Sequence, residues 1–511
     1  MKKGKIIITF LLITLTLVFT ACNREGNKDV GENSSIGSDD STGEIESENS
    51  TSEGEEEIQT TYSDNIIRWG TIRNISDEAL SKFNKRLMDL GYDFSLKIVP
   101  LDFVDYQNEI INYEETNGPL DIAFTGLEFV GDGGNALNLI KSGYYTQLDE
   151  FLDSTDGREL LDLYDEKLWE SVKVDGNIYT IPNGTTEHQE IIFAFNKAYV
   201  NEEDIKDFTG DFFELKQYMD KTPFNEDFSH IVLGISDIDM FELIDCDFKE
   251  GLLFDRDEKK AYNPYEHDEY KKVCEVLSDY YKSKYINYNP SFLGESTSDE
   301  EIIDPATNYL KKGNFFVFIG RKSELSDINA DLILYEKPAY IQTILSGNTG
   351  ITANSKNKEE AFQLLSLAYT DEELANLLVY GVDGVDYKLE DGKAYTLDGE
   401  AYDSYMRQLP FGIYEMTYPT GDEDFETSRF IDKKEHYKNN VKSSPFIGFN
   451  FYSEEYMVTI NKIDEMVYNS FNIWKSEDMD AEWDRTNEKL KEAGVDELVT
   501  AMNEALDEHF K

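Results

Sequence analysis

The residues best suited to bind a ligand in this sequence stand where short apolar strands end. IIRWGTIR contributes Trp69 and Arg73, DIAFTGLE contributes Thr125 and Glu128, and FFVFIGR contributes Arg321. Because open α/β sheets bind ligands beyond the carboxyl ends of their strands, we expect these side chains to face one cleft. An indole ring stacks on a flat apolar face, while guanidinium, hydroxyl and carboxylate groups form hydrogen bonds around its rim. Core packing of the indole and plain surface positions for the charged residues are the alternatives.

No catalytic or metal-binding pattern accompanies these strand ends. The sequence contains no G-x-S-x-G elbow, no H-E-x-x-H motif and no metal-type Cys/His spacing. The GDGG of residues 131–134 lacks the Lys-Ser/Thr of a phosphate-binding loop, and no acidic cluster has EF-hand spacing. We therefore predict no catalytic residue, no bound metal and no cofactor. A glycoside hydrolase acting through two carboxylates stays open, because 104 Asp and Glu residues would hide such a pair.

The elements that would position the strand ends alternate between strand and helix. Apolar runs bounded by turn residues predict strands at 66–71, 93–100, 121–126, 177–182, 191–196, 230–236, 315–320 and 331–336. Between the first two strands, apolar residues recur at helical spacing, with Ser76 as N-cap and Gly91 as the stop. A second helix is predicted over residues 358–381, and the last 55 residues are helical in pattern. This alternation predicts an α/β protein with parallel sheets and helices on both faces.

The first 22 residues have the layout of an export signal. Lys2, Lys3 and Lys5 precede an apolar run over residues 6–19, which is shorter than the roughly 20 residues of a membrane-spanning helix. The tetrapeptide Phe-Thr-Ala-Cys that ends at Cys22 resembles a bacterial lipobox, whose cysteine is acylated and becomes the N-terminus. We expect a protein that is lipid-anchored on the outer face of the cytoplasmic membrane. An uncleaved N-terminal anchor is the alternative.

The segment that follows this cysteine is strongly acidic. Residues 23–60 hold 12 Asp/Glu against 2 Lys/Arg among Ser, Gly, Asn and Thr, which predicts a disordered tether. The whole chain has a formal net charge of −56. A nucleic-acid-binding protein needs a basic surface, so this charge argues against nucleic acid as a partner. It also argues against direct adhesion to anionic lipid, so membrane contact would depend on the covalent anchor.

Two further cysteines are present, Cys246 and Cys274. Two cysteines make no disulfide framework, and a folded body of this size does not require one. We expect two unpaired thiols, with a single bridge between them as the alternative.

Five stretches, in order along the chain, resemble the extracellular solute-binding lipoproteins that serve ABC importers, in particular the carbohydrate-binding group of Gram-positive bacteria. The stretches are NGPLDIAFTGLE, LWESVKVDGNIYTIPNG, IIFAFNKAYV, LSGNTGITANSKNKEEAFQLLSLAYTDEELANLL and YGVDGVDYKLEDGKAY. Together the local matches extend over most of residues 64–511. The lipobox and the acidic tether fit the same family.

The resemblance implies the type II periplasmic-binding-protein fold, with two α/β lobes joined by a hinge around a ligand cleft. On this basis, residues 1–21 are the signal peptide and residues 22–63 the lipidated cysteine with its tether. Lobe 1 comprises residues 64–185 and 342–400. Lobe 2 comprises residues 186–341 and 401–511.

The resemblance also implies where ligand contacts lie. The segment that crosses to the second lobe would line the cleft with Asn183, Glu187 and Gln189. The stretch PFIGFNFY, at residues 445–452, stands where family members place a cleft aromatic, which makes Phe449, Asn450 and Phe451 candidates. Surface-loop polarity is the alternative for the first three residues, and core packing is the alternative for the last three.

The function implied by the resemblance is capture of a solute, expected to be a sugar or oligosaccharide, and its delivery to a membrane permease. A pyranose offers a flat C–H face for an aromatic ring and a rim of hydroxyls for polar side chains. We expect a monomer that contacts the small-molecule solute and the ABC permease subunits. A secreted glycoside-acting enzyme and a sensor or adhesin lipoprotein on the same fold are the alternatives.

Overall fold

The computed structural model describes the folded body of the chain. The described residues are 65–102, 106–126, 136–183, 190–219, 228–234, 239–288, 305–321, 325, 328–399, 410–411, 413, 416–420, 433–453 and 455–511. All of them lie in one compact unit, residues 61–511. None of the helices in this part of the chain combines the length and apolarity that crossing a membrane requires. The predicted export signal, Cys22 and the acidic segment lie outside the described residues.

The strands, in chain order, are β1 (Ile66–Thr71), β2 (Ser95–Pro100), β3 (Ile122–Phe124), β4 (Lys173–Val174), β5 (Asn177–Ile178), β6 (Thr180–Ile181), β7 (Ile191–Asn196), β8 (Ser229–Leu233), β9 (Cys246–Lys249), β10 (Leu252–Asp255), β11 (Lys260–Tyr262), β12 (Ile286–Tyr288), β13 (Phe315–Arg321), β14 (Leu332–Glu336), β15 (Ala339–Ile341), β16 (Thr349–Ile351), β17 (Lys388–Glu390), β18 (Lys393–Tyr395) and β19 (Val441–Ser443).

The α-helices are α1 (Asp77–Asp89), α2 (Tyr106–Asn117), α3 (Ala136–Lys141), α4 (Asp149–Leu152), α5 (Thr155–Leu163), α6 (Glu166–Ser171), α7 (Leu215–Met219), α8 (Asp268–Lys282), α9 (Pro305–Lys312), α10 (Lys358–Thr370), α11 (Glu372–Val379), α12 (Lys433–Asn440), α13 (Met457–Tyr468), α14 (Met479–Ala493) and α15 (Val495–His509). Short 3-10 helices occupy Phe212–Glu214, Asp239–Ile244, Pro264–Glu266 and Phe471–Lys475.

The first large sheet has the strand order β2-β1-β3-β16-β6. Strand β1 pairs in parallel with β2 and β3, whereas β16 runs antiparallel to β3 and to β6. Helix α1 covers this sheet because Phe83 and Leu87 share a buried core with Ile67 and Trp69 of β1. The helix begins as the sequence predicts, since Ser76 Oγ accepts the N–H of Ala79 at 3.2 Å.

The second large sheet has the strand order β12-β8-β13-β7-β14. Strand β8 is parallel to β12 and β13, and β7 is antiparallel to β13 and β14. An antiparallel three-stranded sheet, β11-β10-β9, contributes Leu252, Leu253 and Phe254 to the same buried core. Helices α8 and α13 to α15 pack on this core. The chain therefore contains two α/β units, as the alternation of predicted elements indicates. The prediction of parallel sheets is wrong in part, because each large sheet also contains antiparallel pairs next to the places where the chain passes between the sheets. Strands β1 and β7 span the predicted residues.

The chain passes from the first sheet to the second between β6 and β7, and it returns between β14 and β16. The third passage comes later than the sequence predicts, because residues beyond 400 still pack on the first core. Phe411 is fully buried there, with its ring edge-on to that of Trp69 at a centroid distance of 5.6 Å, and Val441 is buried in the same core. Phe446 belongs to the second core. The third crossing therefore follows Val441 rather than lying near residue 400.

The helix predicted over residues 358–381 is two helices, α10 and α11. Asp371 separates them, and its Oδ1 accepts the N–H of Leu374 at 3.0 Å as the N-cap of α11. The same carboxylate forms an ion pair with Arg86 of α1 at 2.7 Å. Apolar periodicity continues across the break, so the pattern alone does not reveal it. The break lets α11 turn to pack against α1.

We predict that Asp371→Ala lowers the free energy of unfolding by about 1 to 2 kcal/mol, because the first turn of α11 loses its capping acceptor. Urea unfolding of the variant and the parent chain measures the difference. Asp371→Asn is the matched control, since its amide oxygen caps the helix but carries no charge for Arg86. Equal losses for both variants would show that the ion pair, and not the cap, stabilises this junction.

Candidate functional site

The three passages between the sheets lie side by side, and Asn348 joins the first two. Its backbone N–H donates to Thr125 Oγ1, and its carbonyl accepts the N–H of Thr125, both at 2.9 Å. These bonds fix the loop before β16 against the end of β3. Asn348 and Thr125 are both fully buried. The predicted site residue Thr125 is thus part of the junction and presents no surface to a ligand in this form.

The side chain of Asn348 extends this junction to the outgoing passage. Its Oδ1 accepts the N–H of Asn183, and its Nδ2 donates to the carbonyl of Ile344, each at 2.9 Å. Asn183 in turn donates from Nδ2 to the carbonyl of Gly347 at 2.9 Å. Asn183 is 2% exposed, so it holds two crossing segments together at the place where the sequence predicts a cleft residue. A ligand contact by Asn183 stays a prediction.

The third passage pairs with the second. Strand β15 is parallel to β19, and Ser444 N–H continues the ladder to the carbonyl of Ile341 at 2.9 Å. Gly448 N–H donates to Thr343 Oγ1 at 2.8 Å. The two acceptors, Ile341 and Thr343, belong to the second passage and come just before Asn348 in the chain. The three crossings therefore form one hydrogen-bonded bundle between the two cores.

A buried ion pair ties this bundle to the hairpin of β9 and β10. Arg256 contacts Asp247 Oδ1 through Nε at 2.7 Å and through a terminal nitrogen at 2.6 Å, and Ser444 Oγ donates to Asp247 Oδ2. The guanidinium also lies 4.0 Å from the ring centroid of Tyr340 in β15. Burial raises the pKa of Asp247 above its ordinary value, while the charge of Arg256 and the bond from Ser444 oppose that rise.

A recess opens beside this ion pair, at the crossings. It is open to solvent, has a cavity volume of about 20 Å³, and is lined by Asp247, Lys249, Phe254, Gln342, Thr343, Phe446 and Phe449. Three aromatic rings form its apolar wall, and amide, hydroxyl and ammonium groups supply hydrogen-bonding atoms. That space holds about one water molecule and is far smaller than the roughly 300–1,000 Å³ of small-molecule pockets, so in this form the recess does not enclose a ligand. Its lining nevertheless combines aromatic rings with hydrogen-bonding groups, the two kinds of contact that a ring-shaped polar ligand uses.

Two of the three predicted residues in PFIGFNFY lie at this recess or beside it. Phe449 lines it and packs against Phe254 and His509 at centroid distances of 6.2 and 5.4 Å. Asn450 follows, and its Nδ2 donates to the carbonyl of Lys173, next to the first core, at 3.1 Å. Asn450 Oδ1 is buried and accepts no hydrogen bond from the described residues. Phe451 is half-buried and packs on the second core.

The other described candidates are not brought to this recess. Trp69 is fully buried in the first core, because its ring fills the space between β1 and Phe411. It is a core side chain in this structure. Arg321 ends β13 and faces Glu242 at 3.5 Å. Arg73 is half-buried in the segment after β1.

Three further candidates, Glu128, Glu187 and Gln189, lie outside the described residues, as does Cys22. Their proposed roles as ligand contacts and lipid attachment stay predictions. Cys246 and Cys274 are buried and form no disulfide bond, as expected.

The structure also reveals site residues that the sequence did not single out. Gln342, Thr343 and Asn348 stand in the returning passage. Asn348 belongs to a stretch quoted above only for its resemblance to a family motif, and Gln342 and Thr343 come just before that stretch. Polar residues between two short strands, with Gly347 at φ +74°, are the local signal for such a loop. Nothing local indicates that their partners lie more than a hundred residues away, as Asn183 and Thr125 do.

Comparison with known proteins identifies relatives over most of the chain. No protein-family model matches. A curated protein of Streptococcus pneumoniae serotype 4, named carbohydrate ABC transporter substrate-binding protein, is 25% identical over 479 residues, which cover 85% of this chain and 88% of the relative.

Two solved structures resemble the fold. The N-glycan transport solute binding protein NgtS of S. pneumoniae is 24% identical with a TM-score of 0.60, covering 87% of this chain and 98% of its own. NgtS in complex with Man1GlcNAc is 23% identical with a TM-score of 0.52, covering 87% and 99%. These matches confirm the predicted two-lobe binding-protein fold of mixed α/β content. They also confirm the resemblance to carbohydrate-type solute-binding proteins.

We predict that Asn348→Ala lowers the free energy of unfolding by about 2 to 5 kcal/mol, because the N–H of Asn183 and the carbonyl of Ile344 both lose a buried partner. Urea unfolding of the full chain measures the change. Asn354→Ala, an exposed position on the same segment, is the matched control and should leave the midpoint where it is. A similar, small change for both variants would contradict the assigned role of Asn348.

Proposed function

We propose that this chain is the substrate-binding component of an ABC importer, and that it captures an oligosaccharide between its two lobes and delivers it to a membrane permease. The observation that carries the proposal is the bundle of three chain crossings. Two large cores are joined where residues 182–183, 337–348 and 442–448 run together, and a recess lies at that point. Such a layout lets two lobes close on a ligand by small rotations at the crossings.

The named relatives support the ligand class. The curated relative is a carbohydrate transporter component by name, and the match extends over both lobes. One NgtS structure holds a mannose–N-acetylglucosamine saccharide, Man1GlcNAc. We propose that this chain likewise binds a neutral oligosaccharide.

The chemistry of the recess supports the same choice. Phe449 offers a ring face, while Gln342, Thr343 and Lys249 offer donors and acceptors for hydroxyl groups. The unpartnered Oδ1 of Asn450 beside it is an acceptor for a sugar hydroxyl. The formal charge of −56 disfavours a polyanionic ligand.

Binding without hydrolysis fits the described carboxylates better than glycosidase chemistry does. A glycosidase needs two carboxyl groups that flank the scissile bond. Among the described residues lining the recess, Asp247 is the carboxylate, and Arg256 and Ser444 already occupy both of its oxygens. We therefore propose that the ligand leaves the protein unchanged.

We predict that a neutral oligosaccharide of the mannose–N-acetylglucosamine type raises the thermal midpoint of the full chain, because the ligand binds the native state. A hundredfold excess over Kd corresponds to about 2.7 kcal/mol of stabilisation. Asn450→Ala should weaken binding by about tenfold through the loss of one hydrogen bond, whereas Asn354→Ala should not change it.

Fructo-oligosaccharides and short peptides serve as comparison ligands in the same assay. A shift with peptides alone would contradict the carbohydrate assignment. Release of smaller sugars during long incubation, followed by chromatography, would contradict the binding-only proposal and favour an enzyme.

We also propose that Cys22 is acylated, that the acidic segment holds the monomeric folded body away from the lipid surface, and that the protein is anchored outside the cytoplasmic membrane. We predict that the parent chain partitions into the membrane fraction of a Gram-positive host and carries acyl mass on Cys22. Cys22→Ser should lose the acyl mass and appear in the medium, while Cys274→Ser should stay in the membrane. Membrane retention of the Cys22→Ser protein would overturn the assignment.

A further inference from the structure

A second cluster with ligand chemistry lies away from the recess, in the β9–β10 hairpin and the start of α8. Cys246 Sγ lies 3.9 Å from His267 Nε2, and His267 Nε2 lies 3.5 Å from Asp255 Oδ2. All three atoms lie within 4.8 Å of one another. The Cys246 and Asp255 side chains meet because these residues face each other across the antiparallel pair of β9 and β10.

The backbone holds this cluster in place. Glu250 and Gly251, at the hairpin tip, both have positive φ, of 56° and 74°, as a tight two-residue hairpin turn requires. His267 is the N-cap of α8, and its Nδ1 accepts the N–H of Tyr270 at 3.4 Å. Nε2, at the opposite edge of the ring, faces the other two groups. Asp255 Oδ1 accepts the N–H groups of the turn that follows, which leaves Oδ2 facing the imidazole.

We propose that Cys246, Asp255 and His267 form a binding site for Zn²⁺. Sulfur, nitrogen and carboxylate oxygen are the donors that Zn²⁺ takes, and Mg²⁺ and Ca²⁺ prefer oxygen alone. With bonds of about 2.0 to 2.3 Å, a tetrahedral Zn²⁺ places its ligand atoms about 3.3 to 3.6 Å apart. The distance of 3.5 Å between His267 Nε2 and Asp255 Oδ2 lies within that range. The distance of 3.9 Å between Cys246 Sγ and His267 Nε2 exceeds it by a few tenths of an ångström.

The charges around the cluster suit a cation. The negative charges of Asp255, Asp247 and Glu269 act electrostatically on the Cys246 thiol, and the positive charge of Arg256 opposes their effect. The guanidinium of Arg256 is held by Asp247, which lessens its repulsion. The Asp255 side chain is 17% exposed, so the cluster is open to solvent from that side.

Zinc binding has a defined proton balance. The Cys246 thiol, which now faces the carbonyl of Ile244 at 3.5 Å, releases its proton to solvent and binds as the thiolate. The imidazole stays neutral, but its proton moves from Nε2 to Nδ1, so the long contact with Tyr270 N–H is given up. The metal bonds cross-link the hairpin to α8 and compensate for that loss.

The test uses the full chain in mild detergent, with Zn²⁺ and Co²⁺ as probes. We expect one Zn²⁺ per chain after dialysis, measured by elemental analysis, a higher thermal midpoint with Zn²⁺, and a near-ultraviolet thiolate-to-cobalt charge-transfer band with Co²⁺. Cys246→Ser should lose the band. Cys274→Ser, the matched buried thiol, should keep it.

Asp255→Asn keeps the turn acceptor but removes the ligand charge, so it should fold, as circular dichroism will check, and bind Co²⁺ at least tenfold more weakly. Absence of retained zinc and of the band in the parent chain would overturn the proposal. So would a band that persists in Cys246→Ser, because the metal would then lie on another thiol. Undiminished Co²⁺ affinity in Asp255→Asn would exclude Asp255 from the site.

Discussion

The architecture depends on satisfying the buried polar groups at the place where the chain passes between its two cores. A crossing segment cannot complete its hydrogen bonds within a sheet, yet this one is buried, and an unpaired amide there costs free energy. Asn348 solves the problem because its side chain carries both a donor and an acceptor. It serves Asn183 and Ile344 from the side chain and Thr125 from the backbone. One amide thus holds two crossings in register.

A buried ion pair between Arg256 and Asp247 joins the second lobe to the same bundle. A buried ion pair is expensive to desolvate and stabilises only when its remaining hydrogen-bonding capacity is filled. Asp247 meets that condition, since Arg256 occupies one oxygen and Ser444 of the third crossing occupies the other. The aromatic face of Tyr340 covers the guanidinium. The hairpin that forms one wall of the recess is therefore fixed to the crossings and not only to its own core.

Local patterns in the sequence predicted the elements well and their long-range partners poorly. Strands β1 and β7 were predicted at their observed residues because each is an apolar run bounded by turn residues. Asp371 divides a helix whose apolar pattern runs on unbroken, so only its capping bond reveals the break. The late third crossing depends on Phe411 packing against Trp69, a contact between residues more than 300 positions apart. The same contact explains why Trp69, which was predicted at a strand end but lies inside β1, is a core residue.

The electrostatics of the recess and of the whole chain lead to the same ligand class by independent routes. A net charge of −56 repels polyanionic ligands at long range. Because salt screens distant charges, selection among other ligands depends on the groups at the site itself. At the site, the carboxylate of Asp247 is already neutralised by Arg256, so it has little charge left for a cationic ligand. The ammonium group of Lys249 lies near the carbonyl of Phe449. It therefore supplies a hydrogen-bond donor and is not placed to clamp the carboxylate of a ligand. A neutral polyhydroxyl ring carries no charge, so neither the repulsion of polyanions nor the lack of a free carboxylate disfavours its binding. It also gains from an aromatic face and dispersed hydrogen-bonding groups.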